Sequence, residues 1–191
     1  MKKGKKLFVD TDCLSCFLFT DKGSLIQRVF PDRKIIIPHA VDVELNKNRI
    51  HYHDNLKKRK IIDGYDLAKQ NNYFDVLDDF ESESHEFYMV MKLVGKGYEG
   101  GPSIGLGEAQ VIAAAYGSDD AVIASNNLRD ITEYVQKLKI KNYTASDILY
   151  KAYEMGLEDE TTIESLWCDL VTNDYFMPCN SFAEFKMRKE K

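Results

Sequence analysis

Acidic side chains recur in this chain where apolar runs stop. Asp10 and Asp12 follow Leu7-Phe8-Val9, and Glu44 lies just beyond Ile35-Ile36-Ile37 and Pro38. Asn126, Asn127 and Asp130 follow Ala121-Val122-Ile123-Ala124. Glu108 sits in a largely apolar segment, Ile104–Ala115, sharing one helical face with Val111, Ile112 and Ala115 by its spacing. A carboxylate on an apolar face is costly unless it is paired, coordinated or protonated. Carboxylates gathered on one edge repel each other. A hard divalent cation such as Mg²⁺ or Mn²⁺, held by oxygen ligands, relieves that repulsion and activates water for phosphodiester cleavage.

For these acids to meet, the elements that carry them must share an edge. Leu7–Val9, Lys34–Ile37, Tyr73–Leu77, Ala121–Ala124 and Tyr143–Ala145 read as strands. Cys13–Phe19, His39–Asn48, Ser84–Val94, Glu108–Tyr116, Leu128–Leu138 and Asp147–Met155 read as helices, and Ile50–Gln70 as a polar helical stretch. Thr161–Leu170 is a further helix whose start, Thr161-Thr-Ile-Glu164, has the form of a capping box. Residues 95–107 hold six of the 11 glycines and read as a loop. Strands alternating with helices predict an α/β protein, a three-layer α/β/α arrangement with a mostly parallel central sheet. Ligands of such sheets bind beyond the carboxyl ends of the strands. That rule gathers Asp10, Asp12, Glu44, Asn127 and Asp130, and leaves Asp119 and Asp120, which precede a strand, on the opposite edge. Residues 1–160 are expected to form the main domain. Residues 161–191 are expected to form a helical extension docked on it through Leu166, Trp167, Phe176 and Phe182, with a homodimer as the alternative use of that apolar material.

Composition narrows the function classes. With 191 residues, 44% apolar and 30% charged, the chain is long enough for one full core and argues against global disorder. Its longest stretch without Asp, Glu, Lys or Arg, Ala109–Ser118, is far short of the roughly 20 residues that span a bilayer. The basic start Met1–Lys6 leads into an apolar run that stops at Asp10, unlike a signal peptide. A cytoplasmic protein with reduced Cys13, Cys16, Cys168 and Cys179, and no membrane partner, is expected. The net charge of −5 provides no global field for nucleic acid. Basic residues nevertheless cluster at Lys2–Lys6, Lys57–Lys60 and Lys186–Lys191. Lys57, Lys58, Arg59 and Lys60 are the candidate phosphate contacts, although such runs are more often solvated faces. Cys13-Leu-Ser-Cys16 has the spacing of a redox pair, with packing in the core as the plainer reading. Gly95-Lys-Gly-Tyr-Glu-Gly100 matches a dinucleotide-binding pattern but opens no helix, and His51 and His53 read as surface residues. Tyr73, Phe74, Phe87 and Tyr88 are expected in the core rather than stacked on bases.

The order of these features resembles the PIN-domain nucleases. Val9-Asp-Thr-Asp-Cys-Leu14 looks like that family's opening strand-and-helix motif, Ile37–Leu45 like its second acidic motif, and Leu106-Gly-Glu-Ala-Gln110 like its Gly-Glu-Ala helix. Val122–Asn127 resembles the strand ending near a further aspartate, and Tyr143–Gly156 the closing segment. The resemblance spans roughly residues 7–157. It implies a PIN-like fold with Asp10, Glu44, Glu108 and Asp130 as catalytic acids, and Asp10, Glu108, Asn127 and Asp130 as ligands of Mg²⁺ or Mn²⁺. It further implies a ribonuclease acting on single-stranded RNA, of the kind that serves as a toxin beside an antitoxin protein. Asn127 departs from the family's acid: its carbonyl can reach a metal but brings no charge, which weakens metal binding. Two alternatives stand beside this reading. One is a PIN-like module that binds RNA or a protein without cutting it. The other, less favoured, is a haloacid-dehalogenase-like phosphohydrolase using Asp10 as nucleophile and Asp12 as general acid.

Overall fold

The computed structural model describes residues 4–47, 49, 55–95 and 101–190. His51, His53 and most of the Gly95–Gly100 segment lie outside the described residues. The strands are β1 (Lys5–Val9), β2 (Arg33–Ile37), β3 (Asp75–Val76), β4 (Ala121–Ala124) and β5 (Lys141–Tyr143). They form one all-parallel sheet in the order β3-β2-β1-β4-β5. Leu7, Phe8, Val9, Ile35, Ile36, Ile37, Val122 and Ile123 are all buried, whichever way they alternate, so both faces of the sheet are covered. Unbroken apolar strands are the mark of that arrangement.

Ten helices cover the sheet among the described residues: α1 (Thr11–Phe19), α2 (Gly23–Val29), α3 (His39–Lys47), α4 (Leu56–Gln70), α5 (His85–Gly95), α6 (Leu106–Tyr116), α7 (Leu128–Lys137), α8 (Ala145–Glu154), α9 (Glu160–Thr172) and α10 (Phe182–Lys189). The result is a mixed α/β fold of three layers. α6 packs on β1 and β4, with α3, α5 and α7 against it, while α1 packs with α2, α4 and α8. α1 and α4 approach closely because α4 carries Gly64, where a Cβ would stand 2.7 Å from the Leu18 carbonyl oxygen. α6 is apolar almost all round, with Ala109, Val111, Ile112, Ala113, Ala114 and Ala115 buried, as a central helix must be.

The chain lays β2 and β3 to one side of β1, then crosses back to lay β4 and β5 on the other. The strand order therefore reverses between β1 and β4, which opens a crevice at their carboxyl ends. Register sets what meets there. Val9 pairs with Ala124, and the Asp10 N–H donates to the Ala124 carbonyl at 2.9 Å, so Asp10 and Ser125 leave the sheet side by side.

Several elements differ from the sequence expectation. α2 is short and opens on glycine, and α10 reads in sequence as a basic tail. It is instead a helix whose Phe182 and Phe185 are buried, with Lys186 bonded to Glu160 and Tyr153, and Lys189 to Asp147. α9 is capped by Asp159, which accepts the Thr162 N–H at 2.7 Å, rather than starting at Thr161. The capping box belongs to α8, where Thr144 and Asp147 exchange bonds. Tyr88 is exposed, not in the core. Asp120 sits at the amino edge of the sheet, facing Lys5 and Arg33.

The C-terminal helices share the core of the sheet domain. Trp167 is fully buried, stacks with Phe182 and Phe185, and donates its indole N–H to the Cys179 carbonyl at 2.9 Å. Trp167→Ala is expected to cost about 3–5 kcal/mol, because the lining of so large a cavity relaxes only in part. Urea unfolding measures this, and a loss below about 1 kcal/mol would show the C-terminal helices to be loosely attached.

Candidate functional site

Position is decided at the first turn of α1. Asp10 is its N-cap: Oδ1 accepts the Thr11 N–H at 2.8 Å, which satisfies one of the helix's unpaired donors. Its other oxygen, Oδ2, accepts from the Ser125 hydroxyl at 2.9 Å, across the β1–β4 boundary. The carboxylate is almost wholly buried. Two residues on, Asp12 Oδ1 accepts the N–H groups of Cys13 at 2.6 Å and Asn126 at 3.2 Å.

The other acids arrive from helices that start at the same edge. Glu44, on the exposed side of α3, accepts from the Thr11 hydroxyl at 2.6 Å. Glu108, half-buried in the first turn of α6, accepts from the Asn127 side-chain amide at 2.9 Å. Gly107 lies beside Asp10 and Glu44: a Cβ there would stand 3.4 Å from Asp10 Oδ1 and 3.7 Å from Glu44 Oε2. Glycine thus leaves a notch beside two carboxylate oxygens. Asp10, Asp12, Glu44, Gly107, Glu108 and Asn127 all line one cleft of about 740 Å³.

Charge in this cleft is poorly compensated. Among the described residues, none of Asp10, Asp12, Glu44 and Glu108 enters an ion pair. Burial first, and then the charges of Asp12 and Glu108, push the Asp10 carboxyl well above its ordinary range, and the bonds from Ser125 and Thr11 offset only part of this. Burial likewise raises Asp12, against the pull of the Asn126 and Cys13 N–H groups. Among the described residues no three His, Cys, Asp or Glu side chains converge on one point as they stand. Neutral donors hold the acids apart, with Thr11 on Glu44 and Asn127 on Glu108.

The residues singled out from sequence separate into three groups. Asp10, Glu44 and Glu108 share the cleft. Asn127 shares it too, but turns its amide nitrogen to the acids, donating to Glu108 and, at 2.8 Å, to Asp130. A carbonyl oxygen facing two carboxylates would be repelled, so this orientation follows from charge. Asp130 does not line the cleft, and bonds from Asn127 and Arg129 hold its carboxyl below the ordinary range. Lys57, Lys58, Arg59 and Lys60 lie elsewhere, on α4. Lys57 sits over Tyr175 and Lys60 over Phe19, beside a separate hollow of about 330 Å³.

Sequence reading passed over other residues of the cleft. Its basic side chains are His39 and Lys47 of α3, neither of which belongs to a basic run. Asp79, beyond β3, also lines it. Gln110, buried in α6, accepts from the Ala40 N–H at 2.8 Å and donates to Asp79 at 2.8 Å, tying α3 and the segment after β3 to the helix of Glu108. Cys13 and Cys16 are buried, with Cys16 Sγ accepting from Asn126. Asp10 and the segment after β4 were findable by the strand-end rule. No sequence signal marks Gln110.

The carboxylates of the cleft offer oxygens, the chemistry of a hard cation, and Mg²⁺ commonly needs only one or two carboxylates with its remaining positions taken by water. Asp10 and Glu44 beside the Gly107 notch fit that requirement. No family model and no curated protein matches the chain.

Asp10→Asn tests the electrostatic account. The folded-state pKa of Asp10 lies above its unfolded value, so its ionised form destabilises the fold at neutral pH, and this penalty disappears as pH falls through the raised value. In chelator the variant is therefore expected to be more stable than the parent at neutral pH, by on the order of 1 kcal/mol, with the gain shrinking in mild acid. Urea midpoints across pH measure it. A variant less stable at neutral pH would mean that Asp10 is compensated within the fold.

Proposed function

We propose that this chain is a PIN-like metal-dependent endonuclease that cleaves single-stranded RNA. One observation carries the reading: Asp10 and Glu44 adjoin the Gly107 notch in a cleft at the strand-order reversal, and no ion pair among the described residues compensates them. The resemblance to PIN-domain nucleases supplies the substrate class. It also supplies a toxin's pairing with an antitoxin protein, while the free cysteines suit a cytoplasmic setting. No helix among the described residues is long and apolar enough to cross a membrane.

In this reading Asp10 and Glu44 hold Mg²⁺ or Mn²⁺, with Glu108 facing them from α6. A bound divalent ion supplies Lewis acidity to a phosphodiester oxygen and water of lowered pKa. The chain's own groups do the rest. Ser125 and the Thr11 N–H fix the Asp10 carboxylate, and the Thr11 hydroxyl holds Glu44. Lys47 and His39, on the α3 wall, are placed to draw the phosphate backbone towards the acids.

A second reading has its own observation. Asn127 brings a neutral amide where Glu108 and Asp130 meet, and so lowers the charge available to an ion. A site weakened in this way suits a PIN-like module that binds RNA or a protein without cutting.

Two variants separate these possibilities. Asp10→Asn keeps the side-chain shape and removes a ligand charge, so it is expected to abolish Mn²⁺-dependent cleavage of single-stranded RNA. Gly107→Ala places a methyl group in the notch without steric conflict. It is expected to weaken Mn²⁺ binding, because the methyl group stands against the Asp10 and Glu44 carboxylates. Calorimetry and a cleavage assay with and without chelator measure both. Cleavage unchanged in Asp10→Asn refutes the nuclease site, and Mn²⁺ binding without cleavage in the parent selects the binding module.

A further inference from the structure

Asp12 lines the cleft, and the reading above leaves it without a task. It stands in the first turn of α1, lines the same cleft as Asp10 and Glu108, and enters no ion pair among the described residues. Its Oδ1 accepts from the backbone N–H groups of Cys13 and Asn126, which fastens the start of α1 to the segment after β4. The carboxylate is therefore held by the backbone at the crevice between β1 and β4, next in chain to nothing that could neutralise it. On the β4 side of that crevice the corresponding position is filled by Asn127, whose amide is committed to Glu108 and Asp130. Asp130 does not line the cleft, so the segment after β4 contributes no carboxylate to its lining.

Resting on the reading of this cleft as a divalent-cation site, we infer that Asp12 supplies charge to that site from the β1 side, where the segment after β4 lines the cleft only with the neutral amide of Asn127. The alternative is that Asp12 merely caps the helix and ties down Asn126. Chemistry distinguishes the two. An asparagine at position 12 keeps an oxygen that can accept the same two N–H groups, so it preserves the cap and deletes only the charge. Charge also has no memory of the strand it came from: a carboxylate restored at position 127, across the same crevice, makes good its loss at position 12.

The experiment is Mn²⁺ calorimetry on the parent, Asp12→Asn, Asn127→Asp and the double variant. Urea unfolding in chelator serves as the control for folding. Asp12→Asn is expected to bind Mn²⁺ about tenfold or more weakly, as loss of a group supporting a metal site commonly does, while its stability in chelator matches or exceeds the parent's. Asn127→Asp is expected to bind more tightly, and the double variant to return to within about threefold of the parent, a difference under 1 kcal/mol. If Asp12→Asn binds Mn²⁺ as the parent does while Asp10→Asn does not, Asp12 is only a helix cap and the inference falls alone. If Asp12→Asn weakens binding and the double variant shows no recovery, the loss is local geometry rather than charge, and the inference falls as well. A parent that binds no Mn²⁺ overturns the metal reading itself, and this inference with it.

Discussion

Like charge crowded at the carboxyl end of β1 is the constraint around which the cleft is organised. Asp10 is buried there, with Asp12 two residues away and Glu108 close enough to raise its pKa. A buried carboxylate needs donors, and in this chain every donor to Asp10 and Asp12 is neutral: Ser125, Thr11, Cys13 and Asn126. Two of these four come from the segment after β4. The sheet must therefore bring β4 beside β1 in the register that pairs Val9 with Ala124, since a one-residue slip would turn Ser125 away from Asp10. Fold and site are the same requirement seen from two sides.

A second layer keeps the outer acids in place. Gln110 is a buried amide among the apolar residues of α6, and burying an amide costs free energy unless both ends are bonded. Both are bonded, one to Ala40 at the start of α3 and one to Asp79. Glu44 lies one turn beyond Ala40 and Glu108 lies two residues before Gln110. One side chain thus links the wall that carries Glu44 to the wall that carries Glu108. Gly107 completes the arrangement by contributing nothing: the space a methyl group would fill adjoins carboxylate oxygens of both Asp10 and Glu44.

Much of this was legible in the sequence, for physical reasons that differ by residue. β1, β2 and β4 are short runs of large apolar residues, so a buried parallel sheet and its carboxyl edge followed directly, and with them the positions of Asp10 and Asn127. Glu108 stood out as a charge in an apolar segment. The orientation of Asn127 was not legible, because it depends on which groups surround an amide rather than on its own position. Where the basic run on α4 would lie was not legible either: charge density along a sequence says nothing about direction, and Lys57 and Lys60 lie over the rings of Tyr175 and Phe19, away from the cleft. α10 was hidden by its lysines, whose charged ends lie over the rings of Tyr153 and Phe185 and meet Glu160 and Asp147.

The central claim is that this cleft, at the reversal of strand order, is where a divalent cation binds. Paramagnetic broadening by Mn²⁺ tests it residue by residue, without reference to any substrate. Substoichiometric Mn²⁺ added to the isotopically labelled protein should first erase the amide signals of Thr11, Gly107 and Asn127, and leave those of Lys57–Lys60 intact. Broadening centred anywhere else, or absent at stoichiometric Mn²⁺, would contradict the account.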